Sequence, residues 1–96
     1  MNLLDTRMHD GSRLFAELAE SQPWELLRDH LLSLDGVTLT GYLTDHITEV
    51  WIDFLFREHE FTVNNQFGEY WFSVDNPLCD DDVLAAVVNH CQLLLG

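Results

Sequence analysis

The middle of the chain alternates between hydrophobic and polar residues, which is the pattern of β-strands with one buried face. The alternation occurs in residues 37–44, 49–56, 61–63 and 70–74. Polar turn signals separate these segments, among them Glu58-His59-Glu60 and the amide-rich stretch that ends at Gly68. Pro77 follows the last segment, and a proline cannot donate to a strand ladder. The pattern therefore predicts four strands.

Hydrophobic residues at helical spacing occur on both sides of this strand region. Residues 12–20 begin with Ser12 as a potential N-cap, and residues 23–34 begin with a proline. The last helix is predicted from Asp80, the proposed N-cap, through a wide apolar stripe that includes Val87 and Leu94. Asp81 and Asp82 lie in its first turn, where the helix dipole favours negative charge.

These elements predict an α+β fold in a single domain of residues 1–96. We expect a four-stranded antiparallel β-meander with two N-terminal helices and one C-terminal helix packed on one face, because short connections favour neighbouring antiparallel strands. Residues 1–10 are poorly patterned and are expected to fray.

The net charge of the chain restricts the kinds of molecule that it can bind. Seventeen Asp and Glu residues oppose four arginines, and the formal net charge is −13 on 96 residues. Such a domain repels nucleic acids and anionic membranes and attracts basic partners. The arginines are dispersed along the sequence, so no phosphate-binding cluster is expected. We therefore predict a basic protein partner, no nucleic acid and no membrane.

Motifs that would identify a reaction or a cofactor are missing from the sequence. The five histidines form neither HExxH nor a Cys/His zinc spacing, so we expect no metal and no cofactor. Cys79 and Cys91 are expected to be free thiols, which fits a reducing cytoplasm, and the N-terminus does not have the pattern of a secretory signal. An enzyme using His46 or His59 with a carboxylate is a third-ranked hypothesis, and whether those two residues meet in space cannot be read from the sequence.

The most informative candidate site is the face of the predicted sheet that points away from the helices. If Val50, Ile52 and Phe54 face the helices, then Trp51 and Leu55 point outward with carboxylates beside them. Aromatic anchors inside a carboxylate rim are typical of a protein-binding surface. The candidate partner-binding residues are Tyr42, Glu49, Trp51, Asp53, Leu55, Glu58, Glu60, Glu69 and Trp71. The same face could instead be a homodimer interface or be covered by the N-terminal segment, and a one-residue slip in register would exchange the two faces.

Part of the chain also resembles a known group of sequences. Residues 51–54, 57–61 and 64–72, which read WIDF, REHEF and NNQFGEYWF, are similar to a block in small bacterial proteins of uncharacterised function. The resemblance covers about the C-terminal half of the chain. It implies a bacterial cytosolic protein, and it transfers no functional residues.

Taken together, these features predict a cytoplasmic, acidic, non-enzymatic module that captures a basic protein. The concrete form of this hypothesis is a toxin-neutralising immunity protein, by analogy of size and charge. The alternative is a homodimeric domain that binds a small ligand between sheet and helices or across the dimer, and a small enzyme ranks behind both.

Overall fold

The computed structural model describes residues 3–45 and 47–96. In chain order, the elements are β1 (Thr6–Arg7), β2 (Arg13–Ala19), α1 (Trp24–Leu32), β3 (Thr38–Thr44), β4 (Val50–Phe56), β5 (His59–Asn64), β6 (Glu69–Val74) and α2 (Asp81–Leu95).

All of the strands form one antiparallel sheet in the order β1-β2-β6-β5-β4-β3. The four strands that the alternation predicts are β3 to β6, and they pair as a meander, as expected. The remaining two strands extend the sheet beyond β6, since β2 pairs with β6 along almost its whole length. The sheet therefore has β3 at one edge and the short β1 at the other.

The predicted fold class is right in being α+β but wrong in its elements. In the part of the chain that the structure describes, the sheet has six strands instead of four, and one helix precedes β3 instead of two. The error lies in residues 12–20, which were predicted to be a helix and form β2. Residues 3–10, within the segment predicted to fray, include β1, and the Leu4 N–H donates to the Phe15 carbonyl at 2.9 Å.

A β-bulge explains why β2 looks helical in the sequence. The register with β6 shifts between Leu14 and Ala16, so that Phe15 and Ala16 are both buried against the core. The helix is predicted from the spacing of Leu14, Phe15 and Leu18. The bulge allows Phe15 and Leu18, which are three residues apart, both to face the core, and a regular strand with a period of two does not allow this. Pairing with β6 then overrides the local preference of Leu and Ala for helix.

The core lies between one face of the sheet, here called the inner face, and the two helices. Leu27 and Leu31 of α1 and Leu84, Val87 and Cys91 of α2 are all buried in this layer. The segment 23–34 was predicted as a helix and contains α1, and the predicted C-terminal helix is α2. Asp80 is the N-cap residue of α2, as predicted, although its side chain makes no capping hydrogen bond.

Phe61 of β5 is at the centre of the aromatic packing in the core. Its ring stacks on Phe54 with centroids 5.1 Å apart and meets Phe15 edge-on at 5.8 Å. Because Phe54 is on the neighbouring strand β4 and Phe15 is in the bulge of β2, the Phe61 ring joins both halves of the sheet.

The two helices are also joined by polar contacts. The rings of His30 in α1 and His90 in α2 are stacked with centroids 4.1 Å apart. The Nε2 of each ring hydrogen-bonds to the backbone carbonyl of the other residue, at 2.6 and 2.7 Å. Arg13, which is buried, donates to the Leu4 carbonyl and to the Asp81 carboxylate, and it thereby ties the N-terminal strands to the start of α2.

The turn between β4 and β5 is tighter than predicted. Arg57 and Glu58 occupy it with φ of 50° and 70°, and His59 already pairs with Phe56. Two central residues with positive φ match the twist of the flanking strands in a two-residue hairpin. Glu58 is thus a turn residue, whereas His59 and Glu60 belong to β5.

Candidate functional site

The face of the sheet opposite the core, here called the outer face, has no helix over it in the part of the chain that the structure describes. Residues directly paired across antiparallel strands project from the same face. One such row crosses the sheet through Leu43, Trp51, Asn64, Trp71 and Glu17. The predicted outward direction of Trp51 and Trp71 therefore agrees with the observed register.

The hydrophobic side chains on this face are partly open to solvent. Phe67, in the β5–β6 turn, stacks on Trp71 with ring centroids 4.3 Å apart and remains 64% exposed. Leu43 is 66% exposed and Leu55 is also exposed. Neither Trp51 nor Trp71 packs in the core. These residues form an apolar patch on a sheet face, at a position where a partner could bury it.

Asp53 lies within this patch and is held in place by the sheet itself. Its Oδ1 accepts a hydrogen bond from the Thr62 hydroxyl on β5 at 2.8 Å. Gly41 on β3 is directly opposite, and a Cβ at that position would come within 2.8 Å of Asp53 Oδ2. The absence of a side chain at position 41 therefore leaves room for the carboxylate.

The other predicted carboxylates lie around the patch. Glu60 is paired with Leu55 and accepts a hydrogen bond from the Thr40 hydroxyl at 2.6 Å. Glu69 begins β6, two residues from Trp71 on the same strand, and is exposed. Glu58 is in the β4–β5 turn, while Glu49 is half-buried immediately before β4. The structure thus brings Asp53 and Glu60 into the face itself and places Glu49, Glu58 and Glu69 at its edges.

Tyr42 is the one predicted site residue that lies on the wrong face. It is paired with Ile52, whose side chain is fully buried, so Tyr42 projects toward the helices. Its ring packs against the core cluster, and the Arg28 guanidinium of α1 lies over it at 4.9 Å from the centroid. The cause is a bulge between Leu39 and Gly41, which exchanges the two faces in the middle of β3.

The loop that precedes β4 orients the start of that strand. The Asp45 carboxylate accepts hydrogen bonds from the backbone N–H groups of Glu49, Ile47 and Thr48, which hold the pKa of Asp45 well below its usual range. On the other side, the buried side chain of Asn65 accepts from the Val50 N–H and donates to the Thr48 carbonyl. These bonds fix the direction in which the chain enters β4, and hence the position of Trp51.

A cleft of about 360 Å³ opens on the outer face beneath the loop of residues 8–12. Its floor consists of the polar side chains of Thr62, Asn64 and Ser73. Trp51 forms one wall. The carboxylate residues in the lining are Asp10, Glu60 and Asp75. Trp51 belongs both to the apolar patch and to the lining of this cleft, so the acidic side chains of the cleft lie next to the patch.

The four arginines of the chain are engaged away from this cleft. Arg7 pairs with Asp5, and Arg28 pairs with Asp29. Arg13 bridges Asp5 and Asp81, and the Arg57 guanidinium lies over the Phe56 ring. Among the described residues, no arginine lines the cleft, so no guanidinium of the chain pairs with the carboxylates there.

The described cysteine and histidine side chains are placed in and around the core. Both cysteines are free, as predicted, and both are buried. Burial raises the pKa of the Cys79 thiol, with Asp80 adding to the effect, and burial raises the pKa of Cys91 to about 12. No group of three His, Cys, Asp or Glu side chains suited to a metal occurs in residues 3–45 and 47–96. His59 starts β5, and the hypothesis that it meets His46 involves a residue outside those described.

Several residues of the face were not found from the sequence. Asp75 continues the alternation of Trp71 and Ser73, so this signal was available in the pattern. For Phe67 the sequence indicates only a position in a turn. Asp10 and Met8 line the cleft because β1 and β2 form a hairpin, which cannot be recognised when residues 12–20 are interpreted as a helix.

The chain is therefore an α+β domain with one antiparallel sheet. The two helices cover its inner face, and no helix of the described residues covers its outer face. No protein-family model, curated protein or solved structure matches the chain. The resemblance to small bacterial proteins therefore stays a prediction. Within the described residues, neither helix has the length and hydrophobicity needed to span a bilayer.

Proposed function

We propose that this chain is an acidic protein-binding module that docks a basic protein on the outer face of its sheet. A toxin-neutralising immunity protein is the concrete form of this function. The observation that carries the proposal is made on a sheet face that no helix covers in the described residues. This face combines the half-buried Trp51 and Trp71 and the exposed Phe67 with carboxylates that have no arginine beside them.

The aromatic residues supply the contact area. Trp51, Trp71 and Phe67 are rigid side chains that lie at or above the sheet surface, and tryptophan is enriched among the residues that dominate binding energy. Their positions are fixed by strand pairing and, for Phe67 and Trp71, by mutual stacking. A partner would therefore bury them with little loss of side-chain entropy.

The negative charge of the chain orients the approaching partner and increases the association rate. A net charge of −13 attracts a basic protein over distances of about one Debye length, roughly 8–10 Å at physiological salt. Asp53 and Glu60 lie on the face itself, so the attraction is directed toward the aromatic patch. Charge complementarity of this kind mainly increases the association rate.

Salt should therefore slow the association of this protein with its partner. We expect the association rate constant to fall by about tenfold or more between low salt and roughly 0.5 M salt, with a smaller change in the dissociation rate. Surface-immobilised partner and stopped-flow fluorescence both give these constants. An association rate that does not depend on salt would contradict steering by the carboxylates.

Capture from the native lysate identifies the partner. Wild-type protein, the Trp71→Ala variant and the Leu93→Ala control are used in parallel as bait, since Leu93 is 80% exposed on α2, away from the outer face. A basic protein retained by wild type and by the control, and lost with Trp71→Ala, supports the proposal. Retention by all three baits would place the interface elsewhere.

Self-association is a second candidate function, and the position of β3 at the end of the strand order favours it. Among the described residues, β3 is an edge strand of the sheet, and it contains no charged residue. Leu43 on the strand and Ile47 after it are 66% and 80% exposed. A homodimer formed through this edge could bind a small ligand, for instance in the crevice of about 290 Å³ between β2 and α2. Light scattering distinguishes the two: a stable dimer that binds no basic protein favours self-association.

A further inference from the structure

We propose that the cleft on the outer face receives an arginine side chain of the basic partner, with the guanidinium between Trp51, Glu60 and Asp75. This inference rests on the proposed function and names the partner group that the face recognises. The cleft is suited to a cation, to a planar group and to a single side chain, and these three properties come from different observations.

The anionic character of the cleft comes from residues on separate elements. Glu60 is on β5, Asp75 follows β6, and Asp10 is in the loop of residues 8–12. The Asp75 N–H donates to the Glu60 carbonyl at 2.9 Å, which makes these two residues neighbours across the strands. Within the described residues, the Asp75 carboxylate makes no hydrogen bond or ion pair, so it is available to a ligand.

The preference for a planar cation comes from Trp51. A guanidinium is flat and weakly hydrated, and it stacks on an indole face while its N–H groups point toward carboxylates. A lysine ammonium has the same charge, but it is strongly hydrated and cannot stack. A cleft that is lined by an indole as well as by two carboxylates on neighbouring strands therefore favours arginine over lysine.

The size and the floor of the cleft exclude other occupants. Its volume of about 360 Å³ is near the lower end of ligand pockets, which suits one inserted side chain. The floor is lined by Thr62, Asn64 and Ser73, and an apolar side chain placed over these groups would remove them from water without replacing their hydrogen bonds. Nucleic acid is disfavoured by the uncompensated carboxylates.

Three blocked peptides test this inference directly. They share the frame Gly-Gly-X-Gly-Gly, and X is arginine, lysine or citrulline, which has the shape of arginine without its charge. Each is titrated at low salt into the ¹⁵N-labelled protein, with the Trp51 indole N–H and the Asp75 amide as reporters. We expect the arginine peptide to bind roughly three- to fivefold more tightly than the lysine peptide, and citrulline to leave the reporters unshifted.

Two variants test whether the preference for the arginine peptide over the lysine peptide arises in the cleft. Trp51→Leu should remove the difference between arginine and lysine while leaving weak binding of both, because the carboxylates remain. Asp75→Asn should weaken the binding of both the arginine and the lysine peptide. Trp71→Leu, outside the cleft, is the matched control and should keep the arginine preference. An amide spectrum with the dispersion of the wild type shows that each variant is folded.

The outcomes separate this inference from the proposed function. Equal binding of arginine and lysine at the cleft, or shifts confined to other residues, would overturn the arginine site while a basic protein could still dock on the face. If neither cationic peptide shifts any outer-face residue and no basic protein is captured, both proposals are wrong. Binding of citrulline as tightly as arginine would show that charge is not recognised, which also overturns the inference.

Discussion

Replacement of Phe61 by alanine is expected to lower the free energy of unfolding by about 3–5 kcal/mol. Phe61 is 1% exposed, and its ring contacts Phe54, Phe15 and Phe56 at centroid distances of 5.1, 5.8 and 6.4 Å. Removal of the ring leaves a cavity in the core between the side chains of β2 and those of β4. A small domain typically has about 5–15 kcal/mol of stability, so this loss is a large fraction of the total.

Phe67→Ala is the matched control for this prediction. It removes the same ring from a residue that is 64% exposed, so the effect on stability should stay within about 1 kcal/mol. Urea unfolding followed by circular dichroism measures both variants, and Phe61→Leu serves if the alanine variant does not fold. Similar losses for Phe61→Ala and Phe67→Ala would show that Phe61 is not at the centre of the core.

The strands that alternate without interruption could be predicted from the sequence. In β4, Val50, Ile52 and Phe54 are fully buried, while Trp51 and Asp53 lie on the other face. A strand with one buried face has a period of two, and this period survives in the sequence when the ladder is regular. The same reasoning correctly predicted β5, β6 and their antiparallel order.

The errors occur where the ladder is irregular. A bulge in β2 allows Phe15 and Leu18 to share the inner face, and their spacing, together with Leu14, predicts a helix instead. A bulge in β3 separates Leu39 from Gly41, so Tyr42 lies on the inner face instead of the outer. The position of a bulge depends on the partner strand, which a single strand's sequence does not contain.

The candidate site was predictable in its aromatic part and not in its cleft. Trp51 and Trp71 follow from the alternation in their own strands. The cleft requires that Asp10, Glu60 and Asp75 meet, and this depends on the pairing of β2 with β6 at a separation of fifty residues or more. Non-local pairing of that kind leaves no local pattern.

Replacement of Trp51 by alanine is expected to weaken binding of the basic partner by about 2 kcal/mol or more, which is roughly thirtyfold. Trp51 lies on the outer face, paired with Leu43 on one side and with Asn64 on the other, and it also lines the cleft. Its loss removes both buried contact area and the stacking surface. Since neutral contacts of this kind act after encounter, the dissociation rate should rise while the association rate changes little.

Kinetic measurements on folded variants test this expectation. Trp51 does not pack in the core, so Trp51→Ala should unfold at nearly the same denaturant concentration as wild type. Leu93→Ala is the control for removal of an exposed hydrophobic side chain on the other side of the molecule. Glu60→Gln should behave in the opposite way, with a slower association and a smaller change in dissociation. An unchanged dissociation rate for folded Trp51→Ala would mean that the partner does not bury Trp51, and this result would contradict the proposed interface.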